Sequence, residues 1–209
     1  SRIYVQYLRS VSDAILVGID TVMSDNPMLN VRNFSRDKEP LKIVLDTNLK
    51  IPIDSNVVND MGRYLILATS VNDEEKISKL EKFGVRTIVC NKKDGLVDVN
   101  DLTDRLIKAN ILNILVEGGS KVFASFIKEG LVDKLYLFTA NKIIGGDGIP
   151  LFGSIGVRNM QDAVKCHLVD SKKFEDDTLN VYKFSDYRKN ILELTEKYRN
   201  RCKIVCSQG

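Results

Sequence analysis

Two patterns alternate through the first two thirds of this chain. Short continuous apolar runs have the look of strands buried on both faces. Between them lie stretches in which apolar residues recur every three or four positions, as on a helix packed along one side. The runs are Ala14-Ile15-Leu16-Val17, closed by Gly18, then Leu41–Asp46, Arg63–Thr69, Val85–Cys90 and Ile111–Glu117. A sixth strand is expected within Leu131–Ala140. Helical spacing covers Ser1–Ser12, Asp73–Phe83, Asp98–Ala109 and Lys121–Glu129, the last closed by Gly130. Thr21–Asp25 reads as a short helical turn that stops at Asn26, because Pro27 disfavours helical backbone in the residue before it.

This alternation predicts an α/β fold with a mostly parallel central sheet and helices on both of its faces. Val164–Val169 and Leu179–Phe184 predict two late strands, joined through the charged turn Lys172–Asp177 into an antiparallel hairpin at one end of the sheet. Gly145–Gly148 reads as a loop, and no internal repeat is visible. From Ser185 the character changes. A charged helix is expected over Tyr187–Arg199, followed by a strand-like end over Cys202–Gly209. The expected organisation is one domain over residues 1–184 and a C-terminal extension over 185–209.

Composition narrows the function classes. The 209 residues are 44% apolar and 28% charged, which suits a folded core and excludes disorder and fibrous repeats. No apolar run approaches the roughly 18 residues of a membrane helix. The opening Ser1-Arg2-Ile3-Tyr4 reads as folded-domain sequence rather than a secretory leader. The net charge of +3, with signs interspersed, is too weak to imply nucleic acid but is compatible with a phosphorylated small molecule. Cys90, Cys166, Cys202 and Cys206 form no C-x-x-C pair and His167 is the single histidine, so no zinc site is expected. The thiols read as reduced and His167 as structural. Ser-His-Asp and Cys-His catalysis are therefore set aside.

Three clusters carry candidate chemistry. At Leu16-Val17-Gly18-Ile19-Asp20-Thr21 and Leu115-Val116-Glu117-Gly118-Gly119-Ser120 an apolar strand meets glycine and a helix start. Glycine lets backbone approach a ligand, and helix N-termini favour anions. In a parallel sheet both loops lie at carboxyl edges, where open α/β folds bind ligands. Phosphate binding at Gly118–Ser120 and a plain tight turn both fit the spacing. Glu117, at the mouth of an apolar strand, either holds a substrate amine or amide or complements the helix dipole. Asp25-Asn26-Pro27 with Arg32 either grips a phosphate or is a solvated loop. Arg9 and Asp46-Thr47 carry the same ambiguity.

Taken in order, these segments resemble the pyrimidine reductases of riboflavin biosynthesis, which have a dihydrofolate-reductase-like fold. The resemblance rests on Leu8-Arg9-Ser10-x-Ser12-Asp13-Ala14-Ile15-Leu16-Val17-Gly18, Thr21-Val22, Asp25-Asn26-Pro27, Leu29 and Val31-Arg32. It continues through Ile43–Thr47, Leu115–Ser120, Gly130–Asp133 and Lys142–Gly146, so it spans residues 8–183. It implies NADPH as cofactor, with NADH as the alternative, and a phosphorylated ribosylamino-pyrimidine reduced to its ribitylamino form. By position it implies cofactor contacts at Thr21, Asp25, Thr47, Gly118, Gly119, Ser120, Lys121 and Val122. It implies substrate contacts at Arg9, Leu29, Arg32 and Glu117, with Arg32 toward the phosphate and Glu117 as the catalytic-site carboxylate. No metal is implied. A cytoplasmic homodimer is, without nucleic-acid or membrane partners.

The chain has no H-x-E…P-C-x-x-C pattern of the zinc deaminase domain found in the bacterial bifunctional form. That favours the 2,5-diamino-pyrimidinone over the amino-uracil as substrate. Relatives begin with a strand that carries a Ser-x-Asp-Gly-Lys-like segment beside the substrate, and this sequence starts beyond it. The tail Lys203–Gly209 resembles that strand. Two readings stay open: a trimmed chain, or one in which the strand comes from elsewhere.

Overall fold

The computed structural model describes residues 2–34, 39–60 and 64–184, together with the backbone of 202–207. Its helices are α1 (Arg2–Ser10), α2 (Ile19–Asp25), α3 (Asn56–Asn59), α4 (Glu74–Glu81), α5 (Val99–Lys108) and α6 (Ser120–Lys128). Its strands are β1 (Ala14–Gly18), β2 (Leu41–Leu45), β3 (Leu65–Thr69), β4 (Arg86–Val89), β5 (Lys92–Lys93), β6 (Leu96–Val97), β7 (Ile114–Gly118), β8 (Lys134–Thr139), β9 (Cys166–Phe174), β10 (Asp177–Phe184) and β11 (Cys202–Ser207). No helix among the described residues is long and apolar enough to cross a membrane.

The main sheet has the order β4-β3-β2-β1-β7-β11-β8-β10-β9. From β4 to β8 every neighbouring pair is parallel, and β10 and β9 close one end as an antiparallel hairpin. This is the expected α/β architecture. Every residue of β1 and β3 is buried, which is why both read as unbroken apolar runs. On one face, Val99, Leu102 and Leu106 of α5 and Phe126 of α6 share an apolar cluster with Leu16, Ile43 and Val116. On the other, Val22 of α2, Val57 and Val58 of α3 and Leu80 of α4 cluster with Ile15, Val17 and Val44. Leu8 of α1 joins Leu115, Tyr136 and Phe138 on that same side of the sheet.

The structure trims several elements. The helix expected from Asp73 begins at Glu74, because the Asp73 side chain caps it by accepting the Lys76 N–H at 3.0 Å. The strand expected from Ile111 begins at Ile114. Asn110 turns the chain at φ 60°, and the Ile111 N–H donates back to the Leu106 carbonyl to close α5. In the late hairpin the expected turn Lys172–Asp177 shrinks to Glu175-Asp176, with Glu175 at φ 53°. Lys172 and Lys173 belong to β9, which is exposed along all but its last residue, so charge is tolerated there. His167 and Cys166 are exposed on this strand. The small β5–β6 hairpin, unforeseen, turns on Asp94-Gly95, both at positive φ as a two-residue hairpin requires.

The strand-like end expected in the C-terminal extension is β11. It lies inside the sheet between β7 and β8, parallel to both. Helix α6 connects β7 to β8 across a gap one strand wide, and both rims of that gap would otherwise bury unpaired backbone groups. The helix expected over Tyr187–Arg199 lies outside the described residues.

Candidate active site

Because the strands from β4 to β8 run one way, their carboxyl ends meet along one edge of the sheet, where Gly18, Asp46, Thr69 and Glu117-Gly118 gather. The approach of the helices there depends on glycine. A Cβ on Gly18 would lie 2.8 Å from Val122 Cγ2, and one on Gly118 would lie 2.8 Å from Thr21 Oγ1. Gly119 takes φ 96° as the N-cap of α6 and offers no side-chain cap. The first-turn N–H groups of α6 are thus left for an anion.

A cleft of about 180 Å³ opens beside this turn, lined by Gly18, Asp46, Thr47, Gly119, Lys121 and Val122. A second cleft of about 200 Å³ shares Leu96, Val97, Lys121 and Ser125 with it. Thr47 is held by its own hydrogen bonds. Its Oγ1 accepts the Val97 N–H at 3.1 Å, and its carbonyl accepts the Ser70 N–H at 3.1 Å. Asp46 is fully buried and accepts the Ile51 N–H at 2.6 Å, which fixes the loop that carries Thr47. Lys121 pairs with Asp20 at 3.3 Å on the exposed rim. The Ser120 carbonyl accepts the Gly153 N–H at 2.9 Å and ties a later loop to α6. The uncapped helix start, the glycine contacts that bring backbone to the cleft and the apolar floor at Val97 and Val122 suit a dinucleotide cofactor.

The other side of the edge is built on charge. Arg9 of α1 donates from Nε to Glu117 Oε1 at 2.7 Å and from Nη2 to Oε2 at 2.5 Å, a two-pronged pair. The two side chains are 16% and 10% exposed, so solvent screens the pair little. Arg9 Nη1 also donates to the Asn30 carbonyl at 2.9 Å. One residue pair therefore ties α1, β7 and the loop after α2 together. Glu117 sits at a bulge: pairing of β7 with β1 runs to Leu16 opposite Val116, then skips Glu117 and resumes at Val17 opposite Gly118. Bulges of this kind re-aim a side chain beside a site.

The sequence-derived candidates divide accordingly. Thr47, Gly119, Lys121 and Val122 line the first cleft, and Thr21 lies against Gly118 beside it. Arg9 and Glu117 meet directly. Arg32 is exposed, and its backbone N–H donates to Gln6 Oε1 at 2.6 Å, which holds its loop against α1. Leu29, at φ 53° and 3% exposed, lies in the apolar cluster of Val17, Val22 and Leu49 rather than at an open surface. Asp25 ends α2 exposed and lines neither cleft. Sequence reasoning missed Leu96, Val97 and Gly153; the Asp94-Gly95 pair was the available sign of the hairpin that delivers the first two.

Comparison with known proteins follows the same geometry. The family described as the RibD C-terminal domain matches residues 1–180. The riboflavin biosynthesis protein RibD of Actinobacillus pleuropneumoniae is 35% identical over 184 residues, covering 87% of this chain and 49% of that protein. A 2,5-diamino-6-ribosylamino-4(3H)-pyrimidinone 5′-phosphate reductase of Aquifex aeolicus is 32% identical over 167 residues, 79% of this chain and 73% of that protein. Among solved structures, Acinetobacter baumannii RibD superposes with a TM-score of 0.74 at 22% identity, over 88% of this chain and 50% of that one. A pyrimidine reductase-like protein of Corynebacterium diphtheriae gives 0.73 at 23% identity, over 88% and 80%. The chain thus spans about half the length of the RibD proteins it matches.

Proposed function

Because the chain belongs to the RibD C-terminal domain family, with a dihydrofolate-reductase-like fold, we propose that it is an oxidoreductase of riboflavin biosynthesis. The proposed reaction reduces the ribosyl group of 2,5-diamino-6-ribosylamino-4(3H)-pyrimidinone 5′-phosphate to the ribitylamino form. The Aquifex aeolicus relative, named for that substrate and matched over most of its length, supports this choice. The observation that carries the reading is the Arg9–Glu117 pair set beside the glycine-lined cleft.

The cofactor side comprises Thr21, Thr47 and Gly118 through Val122, and NADPH is the proposed reductant. When bound, NADPH would supply hydride for C1′ of the ring-opened imine, with a proton from water going to the imine nitrogen. The protein's own work is placement. The α6 start would hold the cofactor's diphosphate, and Val97 and Val122 give that cleft an apolar lining. Glu117, braced by Arg9, accepts N–H donors of the pyrimidine through its remaining lone pairs. Arg32 meets the substrate phosphate, and Leu29 anchors the loop that carries it. Exposed Leu168 and Val169 on the outer strand β9 support a homodimer.

The test is NADPH oxidation at 340 nm with the diamino-pyrimidinone and amino-uracil ribosyl phosphates offered separately, and with NADH in parallel. Turnover of the first substrate with NADPH is expected. Tight NADPH binding without turnover of either substrate would overturn the reading. Sedimentation of the same protein reads the dimer.

A further inference from the structure

We infer that Gln6 is a positioning residue for Arg32, so that helix α1 sets the span between the pyrimidine end and the phosphate end of the substrate site. This rests on the reductase reading, which supplies the roles of Glu117 and Arg32. Helix α1 is seated independently of the loop it holds. Leu8 is buried among Leu115, Tyr136 and Phe138, and the ring of Tyr4 lies against those of Tyr136 and Phe138. These apolar contacts fix α1 to β7 and β8.

The loop after α2 is held in two halves. Its first half is tied elsewhere: the Asn56 N–H donates to Asn26 Oδ1 and Asn56 Nδ2 donates to the Asn26 carbonyl, both at 2.8 Å. Leu29 is buried in the cluster of Val17 and Val22. Beyond Leu29, the hydrogen bonds and ring contacts that described residues make to another element all reach α1. The Asn30 carbonyl accepts Arg9 Nη1 at 2.9 Å, the Arg32 N–H donates to Gln6 Oε1 at 2.6 Å, and the Phe34 ring meets Tyr7.

Gln6 and Arg9 stand three residues apart on one side of α1, a rise of about 4.5 Å. Arg9 holds Glu117 and Asn30, and Gln6 holds Arg32 two residues further along the loop. One turn of helix thus carries both ends of the proposed substrate site. The Gln6 bond is made to the backbone of Arg32. It fixes where that side chain starts without engaging the guanidinium, and Gln6 acts through Arg32.

Gln6→Met in the full chain tests this, because methionine keeps the length and helix preference of glutamine but removes the acceptor. The KM for the phosphorylated substrate should rise about fivefold, as for one lost hydrogen bond. The kcat, the KM for the dephosphorylated substrate and the NADPH affinity should stay within about twofold of the parent. In an Arg32→Ala background, Gln6→Met should add nothing further. Additive losses in the double variant, an equal loss with the dephosphorylated substrate, or an unchanged KM would overturn the inference.

Two measurements need no turnover. Ribose 5-phosphate binding, followed by calorimetry, should weaken about fivefold in Gln6→Met, and equal affinities in parent and variant would overturn the inference. The Arg32 amide of the unaltered chain should exchange more slowly than an unstructured amide, and unprotected exchange would show that Gln6 does not hold it. A parent that binds ribose 5-phosphate but turns over neither pyrimidine would sink the reductase reading, while these two measurements would still judge Gln6.

Discussion

On one side of the cleft, Gly18, Gly118 and Gly119 let α2 and α6 close on the sheet until Thr21 and Val122 touch backbone. On the other side, Arg9 and Glu117, 108 residues apart in sequence, meet through their side chains. The first side works by excluding atoms: there is no room for a Cβ, and the polar groups on offer are main-chain N–H. The second works by adding groups: two charges, nearly buried, that need each other's hydrogen bonds. The two sides should therefore fail differently. Crowding should weaken the first in proportion to the strain. Removing a partner from the second should leave an unpaired charge, the costlier error.

Glu117→Gln probes the second side and should have the largest effect. Losing the charge-assisted contact to the pyrimidine costs about 2–3 kcal/mol of transition-state binding, a loss on the order of a hundredfold in kcat/KM for the ribosylamino-pyrimidine. NADPH dissociation constants, measured by fluorescence, should move by less than about twofold. Parallel losses in both measurements would merge the two sides into one unit. Gly18→Ala probes the first side. The new methyl would press on Val122 and cost about 1–2 kcal/mol, seen as roughly tenfold weaker NADPH binding. Adding Val122→Ala should recover most of that affinity, and failure of the double variant to recover would mean that Gly18 matters for another reason.

Arg32→Ala sharpens the substrate side. Because Arg32 is exposed and its loop is held by a backbone bond to Gln6, the fold should survive. The KM for the phosphorylated substrate should rise about tenfold, as for a charge-assisted contact to phosphate. An unchanged KM would remove Arg32 from the phosphate. The smallest effect is expected at Cys90, close to the same edge but part of neither side. Burial pushes its thiol up to about 11. A raised folded-state value means that the stabilisation is present below the thiol's ordinary value and is lost as pH rises through the folded one. The melting temperature should then fall between about pH 9 and 11, and Cys90→Ala should flatten that limb. Identical alkaline curves for parent and variant would count against the assignment.

The glycine side was legible in the sequence because its signals are local. An apolar run, a glycine and a helix start occupy a few consecutive residues, and the conformations they permit follow from sterics alone. The charged side was only half legible. Glu117 stood out at the end of its strand, but nothing in the spacing said that Arg9 would reach it. The late hairpin misled for a related reason. Lys172 and Lys173 look like a turn until the sheet shows that β9 is an exposed outer strand. Leu29 was placed at the substrate by position in the family pattern, whereas its burial follows from how the loop folds back over α2.

By itself the sequence determined the alternation of strands and helices, the carboxyl edge at which the chemistry gathers, and the glycines that open it. Each of these follows from the conformational freedom or burial of neighbouring residues. Tertiary structure alone decided that the ladder slips at Glu117 and that Arg9 meets it there. Strand order and register depend on backbone hydrogen bonds between distant segments, and such bonds carry no side-chain code that a linear pattern can reveal.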